Sequence, residues 1–363
     1  MWNRHLSLLL PVVLLTGLLL SACSAPTSAS AGEEPAARQV FAMNTIMSLQ
    51  LYGPDKEAAL EAAVDEIGRL DALFDRNDPD SDIARLNAHA GDGSPVALAP
   101  ETVEVLSAAL DAGTDTDGAF DVTVAPVIDA WGFGTGDAAQ YRLPSRSELD
   151  GLLPLVDASA LHVDASAGTA WLDRAGMEVD LGGIAKGYTA ARLDALLDGY
   201  DVTDALLDLG SSTIALRGTN AAGDRWRVAV KDPKDPDRSL LVLSLSDETL
   251  STSGAYEQCF TEDGVTYHHI LDPRTGWPGQ TGICSVTVVG GDSARTDALS
   301  TALFLMGPDE ALDLWRRDGS FDCVLCLEDG RILLTEGLED RCAFADDTDK
   351  EDGHGWNCEI VRR

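Results

Sequence analysis

Phe321-Asp322-Cys323-Val324-Leu325-Cys326-Leu327-Glu328-Asp329-Gly330-Arg331-Ile332-Leu333-Leu334-Thr335 reads as two apolar strands folded about an Asp-Gly turn. Asp-Gly between hydrophobic runs signals a hairpin, because the central residues of that turn need positive φ. A hairpin is antiparallel by construction. Further strands are predicted at Ala205 to Leu209, Trp226 to Val230, Leu240 to Leu245 and Cys284 to Val289, with a short apolar one at Met177 to Leu181. Apolar spacings of three and four predict helices over Asp55 to Asn77 and Pro100 to Ala112. Thr189 to Leu197, Thr296 to Met306 and Asp309 to Arg316 also read as helices. The elements alternate without one regular period. That predicts a mixed α/β (α+β) fold with largely antiparallel sheets and packed helices.

Within the hairpin, Cys323 and Cys326 have the spacing of a zinc or redox pair. On a strand, residues three apart face opposite sides, so structural cysteines are the better reading. Cys342 and Cys358, in an acidic tail spanning 341–363, are the candidates for a disulfide. The chain carries 61 acidic and 26 basic residues, a net charge of −35. Such a surface repels nucleic acid phosphates, which argues against DNA or RNA as a partner. A nucleotide ligand would need a local cation from Lys, Arg or a metal.

The N-terminus is of another kind. Arg4 precedes an apolar run from Leu6 to Leu20, and Leu20-Ser21-Ala22-Cys23 follows. A basic start, a run short for a bilayer span and then small residues describe a cleaved export signal over 1–22. The cysteine placed there resembles the lipobox of bacterial lipoproteins. That resemblance implies cleavage before Cys23, lipidation of its sulfur and an extracytoplasmic protein anchored to the cell membrane. Residues 23–39 are too poor in bulky apolar groups to bury a core and read as a flexible tether. The folded part is predicted over 40–340.

Four stretches bear chemistry. In Asp180-Leu181-Gly182-Gly183-Ile184-Ala185-Lys186-Gly187-Tyr188, two glycines before a helix either serve packing or let a phosphate approach free amides. In His268-His269-Ile270-Leu271-Asp272-Pro273-Arg274-Thr275-Gly276, a histidine before a turn is either a general base or a partner for a loop carbonyl. Asp297 and Thr301, one helical turn apart, either face a hard cation together or leave Asp297 to favour the helix dipole. Asp117-Gly118-Ala119-Phe120-Asp121 offers an aromatic and a carboxylate on a loop.

In this order the stretches resemble the ApbE family, the FAD:protein FMN transferases. The resemblance also takes in Met43-Asn44-Thr45, Ser81-Asp82-Ile83, Leu86-Asn87, Thr252-Ser253-Gly254 and Thr335-Glu336-Gly337. It implies that FMN passes from FAD to a Thr or Ser hydroxyl of an acceptor redox protein while AMP leaves. It implies FAD contacts at Met43, Ala119, Phe120, Asp121, Asp180, Lys186 and Ile270. Mg²⁺ would sit on Asp297 and Thr301, with backbone oxygens of Gly183, Ala185 and Ala294. His269 is the candidate to deprotonate the acceptor, or to orient the pyrophosphate, with Asp272 as a second carboxylate nearby. The same site would support hydrolysis of FAD to FMN and AMP; a flavin-binding lipoprotein without catalysis is a third reading. The chain departs from the family pattern at Gly210-Ser211-Ser212, where Gly-Gly-Asn is usual, and at Asn77, where some members carry tyrosine.

Overall fold

The computed structural model describes residues 34–135, 137–345 and 355–363. The export signal and Cys23 lie outside them. Among the described residues no helix is long and apolar enough to cross a membrane.

Elements are numbered along the chain. The main sheet has nine strands. In spatial order they are β1 (Ala36–Ala42), β2 (Thr45–Tyr52), β6 (Asp204–Asp208), β7 (Thr213–Arg217), β10 (Thr249–Gly254), β13 (Ile283–Gly290), β14 (Phe321–Leu327), β15 (Arg331–Thr335) and β17 (Asn357–Val361). Every neighbouring pair is antiparallel except β15 with β17. Three smaller sheets accompany it. One is β16 (Cys342–Phe344), β9 (Asp235–Leu245) and β8 (Trp226–Asp232); another is β3 (Val96–Ala97), β5 (Thr169–Leu172) and β4 (Leu161–Asp164). The last is the hairpin of β11 (Cys259–Glu262) and β12 (Val265–His268).

The helices are α1 (Lys56–Phe74), α2 (Asp82–Ala88), α3 (Pro100–Asp115), α4 (Ala125–Trp131), α5 (Arg146–Leu152), α6 (Ala185–Leu197), α7 (Ser293–Met306) and α8 (Pro308–Asp318). The fold is α+β, as the sequence predicts. One face of the main sheet packs on helices: α1 and α6 close over β1, β2 and β6, while α3, α7 and α8 close over β13 and β14. The other face packs on the β16–β9–β8 sheet. Cys323 and Cys326 show the division. Cys323 belongs to the helix-covered core and Cys326 to the layer between the sheets.

Four expectations need correction. The fold begins at Ala36, not Val40, because residues 36–39 already pair with β2. The segment 341–363 is not a mere tail: β16 pairs with β9, and β17 supplies the last strand of the main sheet. Cys342 and Cys358 are free thiols, not a bridge. Both pack against the inter-sheet layer, and burial pushes the Cys342 thiol up to about 12. Met177 to Leu181 forms no strand. Asn87 replaces a strand partner, its side chain accepting from the Val179 amide at 2.8 Å and donating to the Val179 carbonyl at 3.0 Å.

Candidate active site

A cavity of about 530 Å³ opens where the β1–β2 turn, the Ala119–Asp121 loop, the start of α6, the base of the β11–β12 hairpin and α7 meet. Met43, Ala119, Phe120, Asp121, Asp180, Gly183, Lys186, His269, Ile270, Asp297 and Thr301 all line it. Asp272, Ala185 and Ala294 are not among its lining residues. Asp272 instead holds Arg274 in a two-pronged ion pair at 2.9 and 3.0 Å. The structure therefore commits this carboxylate to Arg274 and leaves it out of the cavity lining.

Helix α6 starts four residues earlier than its periodicity suggests, at Ala185 rather than Thr189. Lys186 consequently sits in its first turn, where the dipole is positive; the Ala185 amide there already donates to the Leu181 carbonyl at 2.8 Å. Ile184 provides no side-chain cap. The cap comes from α7: Asp297 Oδ2 accepts from the Gly187 amide at 2.9 Å, and its Oδ1 accepts from the Thr213 hydroxyl at 3.1 Å. Asp297 does not serve the terminus of its own helix, whose N-cap is Asp292. A Cβ at Gly187 would strike the Ser293 carbonyl, so glycine is what lets the two helices approach. A Cβ at Gly183 would lie 2.9 Å from the Phe120 ring and 3.6 Å from the Thr301 hydroxyl. The Gly-Gly turn thus runs directly beside α7.

Two other carboxylates at the cavity are already committed. Asp121 accepts from the Thr123 amide and hydroxyl at 2.8 and 2.6 Å and from the Ala158 amide at 3.1 Å. Asp180 accepts from the Gly182 amide at 2.6 Å and pairs with Arg76 Nε at 2.8 Å. Arg76 also pairs with Asp129 and, at 3.5 Å, with Glu178.

Asp297, Thr301 and His269 are held by neutral partners or none. Asp297 is buried with an amide and a hydroxyl as partners, and burial pushes its pKa up while Lys186 opposes the rise. Thr301 Oγ1 shares a contact of 3.2 Å with Ser253 Oγ. The His269 ring is half-buried, yet its Nδ1 is fully shielded and has no hydrogen-bond partner. Burial, followed by the nearby charges of His268 and Lys186, pushes its pKa down to about 4. The imidazole is therefore neutral at pH 7.

Several lining residues were not assigned from sequence. Ser253 and Gly254 on β10, with Glu257 and Gln258 beyond it, line the cavity. So do Asn44 and Thr45. Met43 and Asn44 adopt φ of 48° and 58°, a tight turn without glycine, fixed where the Met43 amide donates to Asp71 Oδ1 at 2.8 Å. Thr213, the second partner of Asp297, carries no local signal; only the pairing of β7 with β10 delivers it.

Fold and cavity define a class of enzymes that handle flavin. FAD:protein FMN transferase from Treponema pallidum is 32% identical over 326 residues, covering 85% of this chain and 89% of that protein. The enzyme of the same name from Salmonella typhimurium is 30% identical, again over 85% of this chain and 89% of its own length. The ApbE protein of Thermotoga maritima superposes with a TM-score of 0.77 at 30% identity, covering 84% of this chain and 98% of its own. The apo flavinyl transferase ApbE of Pseudomonas stutzeri superposes with a TM-score of 0.73 at 26% identity, covering 90% and 99%. The profile of the ApbE family matches residues 43–325, and the chain belongs to that family.

Proposed function

We propose that this chain transfers the FMN moiety of FAD to a Thr or Ser hydroxyl of an acceptor protein, with AMP as the leaving group. The observation that carries the reading is that Lys186, Asp297, Thr301 and His269 line one cavity, with the charge of Lys186 acting on both Asp297 and His269. The names of the relatives agree with it.

The start of α6 and Lys186 would receive the pyrophosphate, offering the positive end of the helix dipole and a point charge. His269 would take the proton from the acceptor hydroxyl. Its oxygen would then bond to the FMN phosphorus as the P–O bond to AMP breaks, and the released phosphate would carry the electron pair away. Phosphoryl transfer depends on positioning and charge neutralisation rather than on covalent help. The donor set at Asp297 and Thr301 fits a hard cation: a buried carboxylate and a hydroxyl one turn apart, beside the Gly183 backbone. Mg²⁺ held there, with carbonyls of Gly183, Ala185 and Ala294 as further donors, would neutralise charge at the pyrophosphate and on departing AMP.

Incubation with FAD, Mg²⁺ and a candidate acceptor, read by mass spectrometry, tests the reading. An added FMN phosphodiester mass is expected, and chelation with EDTA should remove it. Free FMN and AMP without labelled protein would instead identify a hydrolase; intact FAD throughout would identify a carrier. We also propose that the protein is held at a membrane through Cys23, on the sequence evidence of its lipobox. Cys23→Ser should move it to the soluble fraction, and retention in the membrane fraction would refute the anchor.

A further inference from the structure

The large hydrophobic residues left exposed among the described residues are Phe41 (72%), Ile46 (61%) and Val265 (46%). All of them lie on the two hairpins that border the cavity, β1–β2 and β11–β12. Phe41 and Ile46 are direct cross-strand partners, one residue pair from the Met43–Asn44 turn that lines the cavity. The outward face of the hairpin behind them is polar or small: Gln39 opposite Ser48, and Ala37 opposite Gln50. An apolar pair at the tip of an otherwise polar face, on a chain with a net charge of −35, does nothing for the fold.

Among the described residues, the strand carrying Phe41 is also open on one side. β1 is the terminal strand of the nine-stranded sheet, pairs with β2 alone among the described strands, and contains no proline over its seven residues. In a hairpin with a two-residue turn, the residues flanking the turn form a hydrogen-bonded pair and the pairs beyond alternate. Ala42 with Thr45 is therefore hydrogen-bonded, and Phe41 with Ile46 is not. It follows that the amides of Phe41, Gln39 and Ala37 point away from β2, to the free edge. That edge runs toward the cavity, since β1 ends at Ala42 and the next residue, Met43, lines it.

We infer that β1 is the docking edge for the acceptor protein. An extended segment of the acceptor adds beside β1 as a further strand, rests apolar side chains on Phe41 and Ile46, and so delivers its hydroxyl residue to the cavity mouth. Backbone pairing supplies affinity and the apolar pair supplies selection. The inference rests on the transferase reading above and names the surface through which its protein substrate is held.

Two variants of the full chain test it. Phe41→Ser/Ile46→Ser removes the apolar pair, and Gln39→Pro removes one outward amide that β2 does not use. The assay supplies FAD, Mg²⁺ and an extract of the producing cells lacking this gene, and reads covalent flavin fluorescence of protein bands in a denaturing gel. Parallel samples record FAD binding by flavin fluorescence and the thermal midpoint. Both variants should keep FAD affinity and midpoint while the initial rate of protein labelling falls at least tenfold. Labelling at the wild-type rate by both variants would overturn the docking edge while leaving the transferase intact. Loss only in Phe41→Ser/Ile46→Ser would overturn strand addition in favour of a side-chain contact. Absence of any labelled band with the wild-type chain would overturn the transferase reading, and this inference with it.

Discussion

Two groups of residues around the cavity are of similar type and are held in different ways. In one, Asp121 and Asp180 accept from amides, a hydroxyl and the Arg76 guanidinium. In the other, Asp297 accepts from an amide and a hydroxyl, and His269 Nδ1 has no hydrogen-bond partner. Asp180 and Asp297 each have one donor on each oxygen, so the number of hydrogen bonds does not separate them. The difference is the charge of the partner: Asp180 holds a guanidinium, whereas the buried Asp297 bonds only neutral groups and retains a demand for positive charge.

The contrast is sharpest at Asp297. Asp297→Ala should reduce flavin transfer by roughly 10³-fold or more, because it removes both the cation ligand and the cap on α6. Asp297→Asn keeps the volume and one acceptor oxygen, and should lose transfer while retaining most of the thermal midpoint. Full activity in both would break the distinction between Asp297 and the ion-paired carboxylate Asp180. Next is His269→Asn, expected to slow transfer about 10²-fold, the lower range for loss of a general base, with FAD affinity nearly unchanged. A variant that lost FAD binding instead would assign His269 to orienting the pyrophosphate.

The depressed pKa of His269 makes a prediction with a definite sign. With its folded pKa near 4 and an ordinary value of 6.5, the imidazole stays neutral in the folded chain while an unfolded one charges. Transfer should stay level from pH 7 down to about 5 and fall only as pH approaches 4, where a free imidazole would already have lost most of its activity by pH 5.5. The stability tied to this group is complete above pH 6.5 and declines as pH falls toward 4. A rate already halved at pH 6.5 would refute the shift.

Asp121 should answer differently. Asp121→Asn should cost about 1–3 kcal/mol of stability through its lost amide and hydroxyl acceptors, read by denaturant titration, with only a small change in transfer at saturating FAD. The smallest effect is at the loop after β6. Ser211 holds a φ of 63°, a left-handed conformation that favours glycine. Ser211→Gly should raise stability by no more than about 1 kcal/mol, because relief of left-handed strain is partly offset by glycine's greater chain entropy.

Much of this was legible in the sequence, for identifiable reasons. The β14–β15 hairpin falls where its Asp-Gly turn puts it, and the opposite faces of Cys323 and Cys326 follow from strand alternation. The site residues of α6 and α7 were visible because glycine pairs and a carboxylate–hydroxyl spacing leave local traces. What was hidden is non-local. Asp297 caps a different helix from its own, Thr213 reaches it through strand pairing, and Asn87 substitutes for a strand partner at Val179. The misplaced Asp272 shows the converse, since proximity in sequence to His269 did not bring it to the cavity and Arg274 claimed it.

The placement of β17 has a consequence for how the sheet avoids sticking to other molecules. It lies parallel against β15 as the outermost strand on that side of the main sheet. β15 carries Ile332, Leu333 and Leu334 in a row, with β14 on its other side. Stripped of β17, it would offer bare amides and carbonyls on an apolar strand, a template for pairing with a foreign chain. β17 takes that place and carries Glu359 opposite Leu333, so the border of the sheet is charged where it would otherwise be adhesive.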